Sequence, residues 1–148
     1  MTERESTRSS QPPERTFFSV WGLPIGVAAA IILLSSTPGS AFPEHPDLLN
    51  PVFHYLEFTA LGFALTRAMA LTPALTGGRW ALTAWSILFC VLFALADELH
   101  QFLVPQRVFD VMDLFFDSLG AMTGTFLYVL TRAFWPLEQA LEKEKPGD

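Results

Sequence analysis

Cysteine and basic residues are both scarce in this sequence of 148 residues. A single cysteine, Cys90, excludes an internal disulfide. Nine Lys and Arg against fifteen Asp and Glu give a formal net charge of -6 at pH 7, and the nine are scattered along the chain. Nucleic-acid binding requires clustered Lys and Arg, so we expect no nucleic-acid partner.

Hydrophobic residues, by contrast, make up 51% of the sequence and include 14 Phe and 4 Trp. The polar residues collect near the two termini and between long apolar runs. A helix that crosses a bilayer needs about 20 predominantly apolar residues, and several runs reach this length. The sequence therefore predicts an all-α integral membrane protein.

Four transmembrane helices are predicted from these runs. Residues 17–36 also resemble the core of a secretory signal peptide, but they exceed the usual length of about 7 to 15 residues, which favours a retained anchor. The polar N-terminal tail has little to bury and is expected to be disordered. The predicted segments are the tail 1–16, the spans 17–36, 52–71, 80–96 and 108–134 within one transmembrane domain 17–134, and the charged tail 135–148.

Basic residues indicate the orientation of the predicted bundle. Eight of the nine Lys and Arg fall on one side of the predicted spans, and only Arg107 falls on the other. Cytoplasmic segments of membrane proteins carry the excess of Lys and Arg. Both termini are therefore predicted to be cytoplasmic, and the loops after the first and third spans are predicted to face outward.

Polar residues gather at the outward ends of the predicted spans. His54 and Glu57 are three residues apart, and Asp97 and Gln101 are four apart, so each pair shares one helix face. On the fourth span, steps of three and four align Asp110, Asp113, Asp117, Gly120 and Gly124. The two glycines are expected to let another helix approach closely, so this stripe should face protein and not lipid.

Acids outnumber fixed cations in this cluster by six to one. Arg107 is the cation, and the acids are Glu57, Asp97, Glu98, Asp110, Asp113 and Asp117. Three explanations stay open: several acids are protonated, water reaches them, or they hold a cation or a cationic ligand. A structural alternative has Arg107 clamping Asp113 or Asp117.

A divalent metal site is a further interpretation of the same residues. The candidate oxygen and nitrogen ligands are His54, Glu57, Asp97, Glu98, His100 and Asp113. Their spacing matches no recognised ligand signature, and hydrogen bonds from the histidines to nearby acids explain it as well. From the sequence we therefore assign no metal and no cofactor.

Three stretches resemble the successive motifs of the VanZ-like membrane proteins: HYLEFTALGFAL (54–65), DELHQFLVPQR (97–107) and DVMDLFFDSLGAMTG (110–124). The resemblance covers most of residues 17–131. The matching positions are His54 and Glu57 in the first motif, Glu98, Gln101 and Arg107 in the second, and Asp113, Gly120 and Gly124 in the third. Two positions depart from the family, which often has Gly in place of Gln106 and Asn in place of Asp117.

The VanZ-like family is named for an accessory protein of glycopeptide-resistance clusters, associated with reduced teicoplanin susceptibility. The resemblance therefore implies a multi-pass protein of the bacterial inner membrane. One hypothesis is a non-enzymatic envelope protein that binds a membrane lipid or a lipid-linked or cell-wall component. The side chains expected to form its binding cleft are His54, Asp97, Gln101, Arg107, Asp113 and Asp117.

The other hypothesis is a membrane enzyme that acts on a lipid-linked or phosphorylated envelope substrate. Glu57 or Glu98 would serve as the general acid/base, and Arg107 would hold an anionic group. The sequence does not choose between binding and catalysis. It also leaves open a homo-oligomer.

Overall fold

The computed structural model of the chain describes residues 16–41, 49–72, 75 and 78–143. The predicted disorder of the N-terminal tail falls on residues 1–15, outside the described residues, and so does the end of the charged C-terminal tail, residues 144–148. Residues 42–48 of the first predicted outward loop also lie outside this part of the chain.

The described chain is all-α, as the sequence predicts. Its four helices are α1 (Phe17–Ser35), α2 (Leu49–Ala70), α3 (Arg79–Gln101) and α4 (Val111–Lys143), with a short 3-10 turn at Gly39–Ala41. Three segments are long and apolar enough to cross a membrane: Phe17–Ser35, Arg79–Gln101 and Val111–Phe134. The chain is therefore a multi-pass membrane protein. The second predicted span, residues 52–71, lies in α2, which is 22 residues long but less apolar, and its membrane crossing stays a prediction.

Two helix starts differ from the predicted ones for local reasons. α4 begins at Val111 and not at residue 108, because the Asp110 carboxylate accepts the Met112 N–H at 2.7 Å and caps the helix. α2 begins earlier than expected, at Leu49. It thereby includes Pro51 in its first turn, where the missing N–H has no helical partner to lose.

The helices alternate in direction, so α2 and α4 run parallel to each other. Their mutual contact is the largest between any two helices of the described chain. α1 and α3 end where α2 and α4 begin, at one end of the bundle. There residues 36–41 meet residues 102–110, and we call this the loop end. The Gly39 N–H donates to the Pro105 carbonyl at 3.3 Å, and the Ser40 N–H donates to the Gln106 side chain at 3.0 Å.

Polar side chains occupy the interior of the bundle to an unusual degree. Among the described residues, eleven buried hydrophobic residues are matched by eleven buried polar or charged ones. Large apolar side chains cover the outside instead, with Phe18 81% and Trp80 80% exposed. The apolar core centres on Ile31, Phe58, Leu61, Cys90, Ala94 and Ala121. Such an arrangement suits lipid, where an apolar exterior costs nothing and polar groups must find partners inside.

Candidate polar site

Close packing of α2 and α4 brings the polar residues of these helices together. A Cβ atom on Gly124 would overlap the backbone carbonyl oxygen of Thr59, and one on Gly120 would overlap that of Tyr55. Gly62 faces α4 equally closely from the α2 side. The absence of side chains at these positions therefore lets the two backbones touch, and it fixes the register of the polar residues nearer the loop end.

His54 lies between two aspartates of α4. Its Nδ1 is 3.0 Å from Asp117 Oδ1, and its Nε2 is 3.6 Å from Asp113 Oδ2. The same Asp113 oxygen accepts a hydrogen bond from the Asn50 amide at 2.8 Å. His54, Asp113 and Asp117 are buried, so this α2–α4 contact is an internal polar network and not a surface contact.

Glu98 reaches the same network from the end of α3. Its Oε2 accepts the Asp110 N–H at 3.0 Å, which ties the end of α3 to the start of α4. Glu98 and Asp117 are both 0% exposed. A ring nitrogen of His54 and one carboxylate oxygen each from Glu98 and Asp117 all lie within 4.8 Å of one another. Three helices thus contribute one residue each to a single buried point.

Asp97, the neighbour of Glu98 in sequence, turns towards α1. Its Oδ2 accepts hydrogen bonds from the Ser35 hydroxyl at 2.7 Å and from the Gln101 amide at 3.0 Å. Gln101 also donates to the Ser35 hydroxyl at 3.4 Å. Asp97, Gln101 and Ser35 are buried, and they join α1 to α3 beside the His54 network.

Three buried carboxylates in this cluster keep one oxygen without a hydrogen-bond partner in the described part of the chain. The atoms are Asp97 Oδ1, Glu98 Oε1 and Asp117 Oδ2. A buried polar atom without a partner costs free energy, most of all on a charged group. The three oxygens therefore mark places where a bound cation, a ligand donor or an added proton would stabilise the protein.

The remaining predicted residues lie at the rim of this cluster. Arg107 is half-buried in the loop after α3, and its Nε donates to the Thr37 carbonyl at 3.4 Å. His100 is exposed, with Nε2 3.0 Å from the Ser36 hydroxyl. Glu57 is half-buried on α2, one turn beyond His54.

Two sequence expectations need correction. Among the described residues, His54 supplies the basic side chain within 4 Å of Asp113 and Asp117, in place of the clamp that was considered from Arg107. Asp110 lies outside the buried stripe of α4. It is exposed and caps the helix, because the helix begins only at the next residue.

Sequence reasoning missed the three uncharged partners of the network: Asn50, Ser35 and Ser36. Asn50 lies four residues before His54 and so shares its helix face, but Pro51 made the segment read as a loop. Proline is common in the first turn of a helix, so Pro51 could have indicated that the helix begins before it and includes Asn50. Ser35 and Ser36 look like the polar end of an apolar run, and only their contacts with α3 give them a role.

Comparison with known families identifies the chain's family. The family model VanZ/LLP1 matches residues 6–132. This range includes α1, α2 and α3 completely and α4 from its start at Val111 to residue 132. No curated protein sequence matches significantly, and no solved structure does either. The matched range covers most of the chain and contains every residue of the buried cluster. The chain belongs to the VanZ/LLP1 family.

Proposed function

We propose that this protein is a non-enzymatic component of the bacterial cell envelope that binds the polar headgroup of a lipid-linked or cell-wall component at its loop end. In doing so it would lower susceptibility to glycopeptides of the teicoplanin type. Membership of the VanZ/LLP1 family supports the envelope setting. The chain would sit in the inner membrane with all four helices crossing it and both termini in the cytoplasm.

One observation carries the binding proposal: buried carboxylates whose second oxygen has no partner in the described part of the chain. Glu98, Asp97 and Asp117 are held in place by hydrogen bonds through one oxygen, and the other oxygen of each is buried without a partner there. A purely structural network would satisfy both oxygens, because each unsatisfied one lowers stability. Groups fixed in this way are preorganised for something that arrives from outside the chain.

The loop end supplies the access route for such a ligand. The buried cluster lies where α1 and α3 end and α2 and α4 begin, and the loop between α3 and α4 carries exposed apolar side chains, including Leu103, 77% exposed, and Val108, 75% exposed. Arg107 lies in the same loop, where a cation can hold an anionic headgroup. A lipid-linked ligand could place its chain along the apolar exterior and its headgroup at the rim.

Drug susceptibility tests this proposal. A deletion strain should be complemented with the wild-type chain or with Glu98→Gln, at matched membrane protein levels. The wild-type chain should raise the inhibitory concentration of teicoplanin, and Glu98→Gln should not. Envelope lipids extracted from the same strains should differ in the amount of a lipid-linked component. Equal susceptibility and equal lipids for deletion and wild type would reject the proposal.

Topology is a separate test, since the cluster must face outward to act on the envelope. Single cysteines at positions 44 and 106, introduced with Cys90 replaced by Ala, should react with an impermeant reagent added to intact cells. A cysteine at position 76 should not. The opposite pattern would place the cluster on the cytoplasmic side and contradict any role in binding outward-facing envelope material.

A membrane enzyme is the second candidate, and Glu98 is the observation in its favour. A fully buried carboxylate with one free oxygen suits proton transfer to or from a bound substrate. Glu57 is the alternative acid/base. The two candidates differ in turnover: the enzyme would convert an excess of lipid-linked substrate in proteoliposomes, whereas the binding protein would retain no more ligand than one equivalent per site.

A further inference from the structure

The buried point shared by α2, α3 and α4 has the composition of a metal centre. We propose that His54, Glu98 and Asp117 form a binding site for one first-row divalent transition-metal ion. The site goes beyond the proposed function, because it requires neither an envelope ligand nor a glycopeptide phenotype. It is also narrower than the ligand set that the sequence suggested, and it includes Asp117, which was not in that set.

The three side chains lie close enough together to hold a single ion. One atom from each of the three residues lies within 4.8 Å of the other two. Two neighbouring ligands held at about 2.1 Å from an ion at a right angle are about 3 Å apart. His54 Nδ1 and Asp117 Oδ1 are separated by 3.0 Å, which suits either a hydrogen bond or two adjacent ligands of one ion. An ion bound to His54 Nδ1 would take the place of a proton on that nitrogen, and Asp117 could bind the ion through either carboxylate oxygen.

The unpartnered oxygens are the independent observation in favour of an ion. Glu98 Oε1 and Asp117 Oδ2 are buried without a hydrogen-bond partner among the described residues, although both side chains are 0% exposed. Hydrogen bonds within the cluster explain only the other oxygen of each group. An ion bound to these oxygens would give both carboxylates a second favourable contact.

The donor set and its charge select the class of ion. A neutral imidazole and two carboxylates carry a formal charge of -2, which a divalent ion balances. Imidazole nitrogen suits zinc, iron and other first-row metals, whereas calcium and magnesium prefer oxygen alone. Asp113 lies 3.6 Å from the other ring nitrogen of His54, in the position of an outer carboxylate that orients a metal-bound histidine.

Metal binding to the purified full-length chain tests the proposal. The protein in detergent should first be stripped of metal with a chelator. It should then be titrated with Mn²⁺, and electron paramagnetic resonance should follow the free Mn²⁺. In a separate sample, Zn²⁺ is added and the bound Zn²⁺ is measured by mass spectrometry. Asp117→Asn and Glu98→Gln each replace one ligand oxygen at constant shape. The matched control is Asp110→Asn, which alters an exposed acid of the same region and keeps the oxygen that caps α4.

The wild-type chain should bind one ion and should melt at a higher temperature with metal than with chelator. Each ligand variant should bind at least about tenfold more weakly, since loss of an outer partner alone costs 10- to 100-fold. Asp110→Asn should bind as the wild type does.

A wild-type chain that binds no ion would overturn the proposal and indicate that protons occupy the unpartnered oxygens. Equal weakening by Asp110→Asn would overturn it too, because the ions would then be held by surface charge. If one ligand variant does not fold, the other and the wild-type stoichiometry decide.

Discussion

Near the loop end α2 and α4 meet through Asn50, His54, Asp113 and Asp117, whereas farther along they meet through Gly62, Gly120 and Gly124. The glycine half brings backbone against backbone and leaves no room for a side chain. In the acidic half the helices meet through polar side chains, and carboxylate oxygens stay unsatisfied in the described chain. The two halves of this helix pair therefore have different roles: the glycine half holds the bundle together, and the acidic half is maintained at some cost to stability.

The largest expected effect comes from breaking the glycine half. Gly124→Leu should lower the free energy of unfolding by about 3 kcal/mol or more, because the backbone of α2 at Thr59 would have to move. Leu127→Ala is the matched control: Leu127 is 45% exposed on another face of α4 and should change stability by no more than about 0.5 kcal/mol. The stability of both variants is measured by thermal unfolding in detergent and by the amount of each protein that accumulates in the membrane. Similar losses for the two variants would show that the glycine contact does not organise the bundle.

A smaller effect is expected in the acidic half. Asp117→Ala removes the acceptor of His54 and should lower the free energy of unfolding by about 1 to 3 kcal/mol. Asp117→Asn keeps an oxygen for His54 and should cost less than about 1 kcal/mol. The same unfolding assay, run with chelator present, separates the two. If Asp117→Asn fails to accumulate in membranes, the carboxylate charge itself is needed for folding, and the division between the halves is wrong.

The contact between α1 and α3 should show a still smaller effect. Ser35→Ala removes a hydroxyl that donates to Asp97 and should lower the free energy of unfolding by about 1.5 kcal/mol. The loss should not be larger, because the Gln101 amide still donates to the same oxygen. Ser36 is exposed, so Ser36→Ala should cost at most about 0.5 kcal/mol. Unfolding curves of the two variants, measured side by side, check the difference. A larger loss at Ser36 would mean that its contact with His100, and not Asp97, attaches α1.

The smallest effect is expected from Gln106→Gly, in the loop end. The Gln106 φ of 62° is a backbone conformation that costs a non-glycine residue about 1 to 2 kcal/mol and that glycine adopts without this cost. The Gln106 side chain compensates by accepting the Ser40 N–H. Gln106→Gly should therefore change the unfolding free energy by no more than about 1 kcal/mol, whereas Gln106→Val should be clearly destabilising. Equal stability for the Gly and Val variants would show that the loop does not hold this conformation in the membrane.

Much of this architecture was predictable from spacing. Steps of three and four placed Asp113, Asp117, Gly120 and Gly124 on one face of α4, and the structure brings that face against α2. The partners were not predictable, because helical spacing fixes which side chains share a face but not which neighbouring helix that face meets. Whether His54 or Arg107 pairs with Asp117 depends on how the helices are rotated against each other. That rotation is set by close contacts such as Gly124 against Thr59.

The most direct test of the central claim measures what the buried acids contribute to stability. In the double variant Glu98→Gln, Asp117→Asn, each side chain keeps the oxygen that accepts its existing hydrogen bond and loses its negative charge. Thermal unfolding of the purified variant and of the wild type should be compared with chelator present. If the acids are kept for a ligand, the variant should be at least as stable as the wild type, since burying charge is costly. A loss of about 3 kcal/mol or more would mean that the acids hold the bundle together, and it would contradict the account.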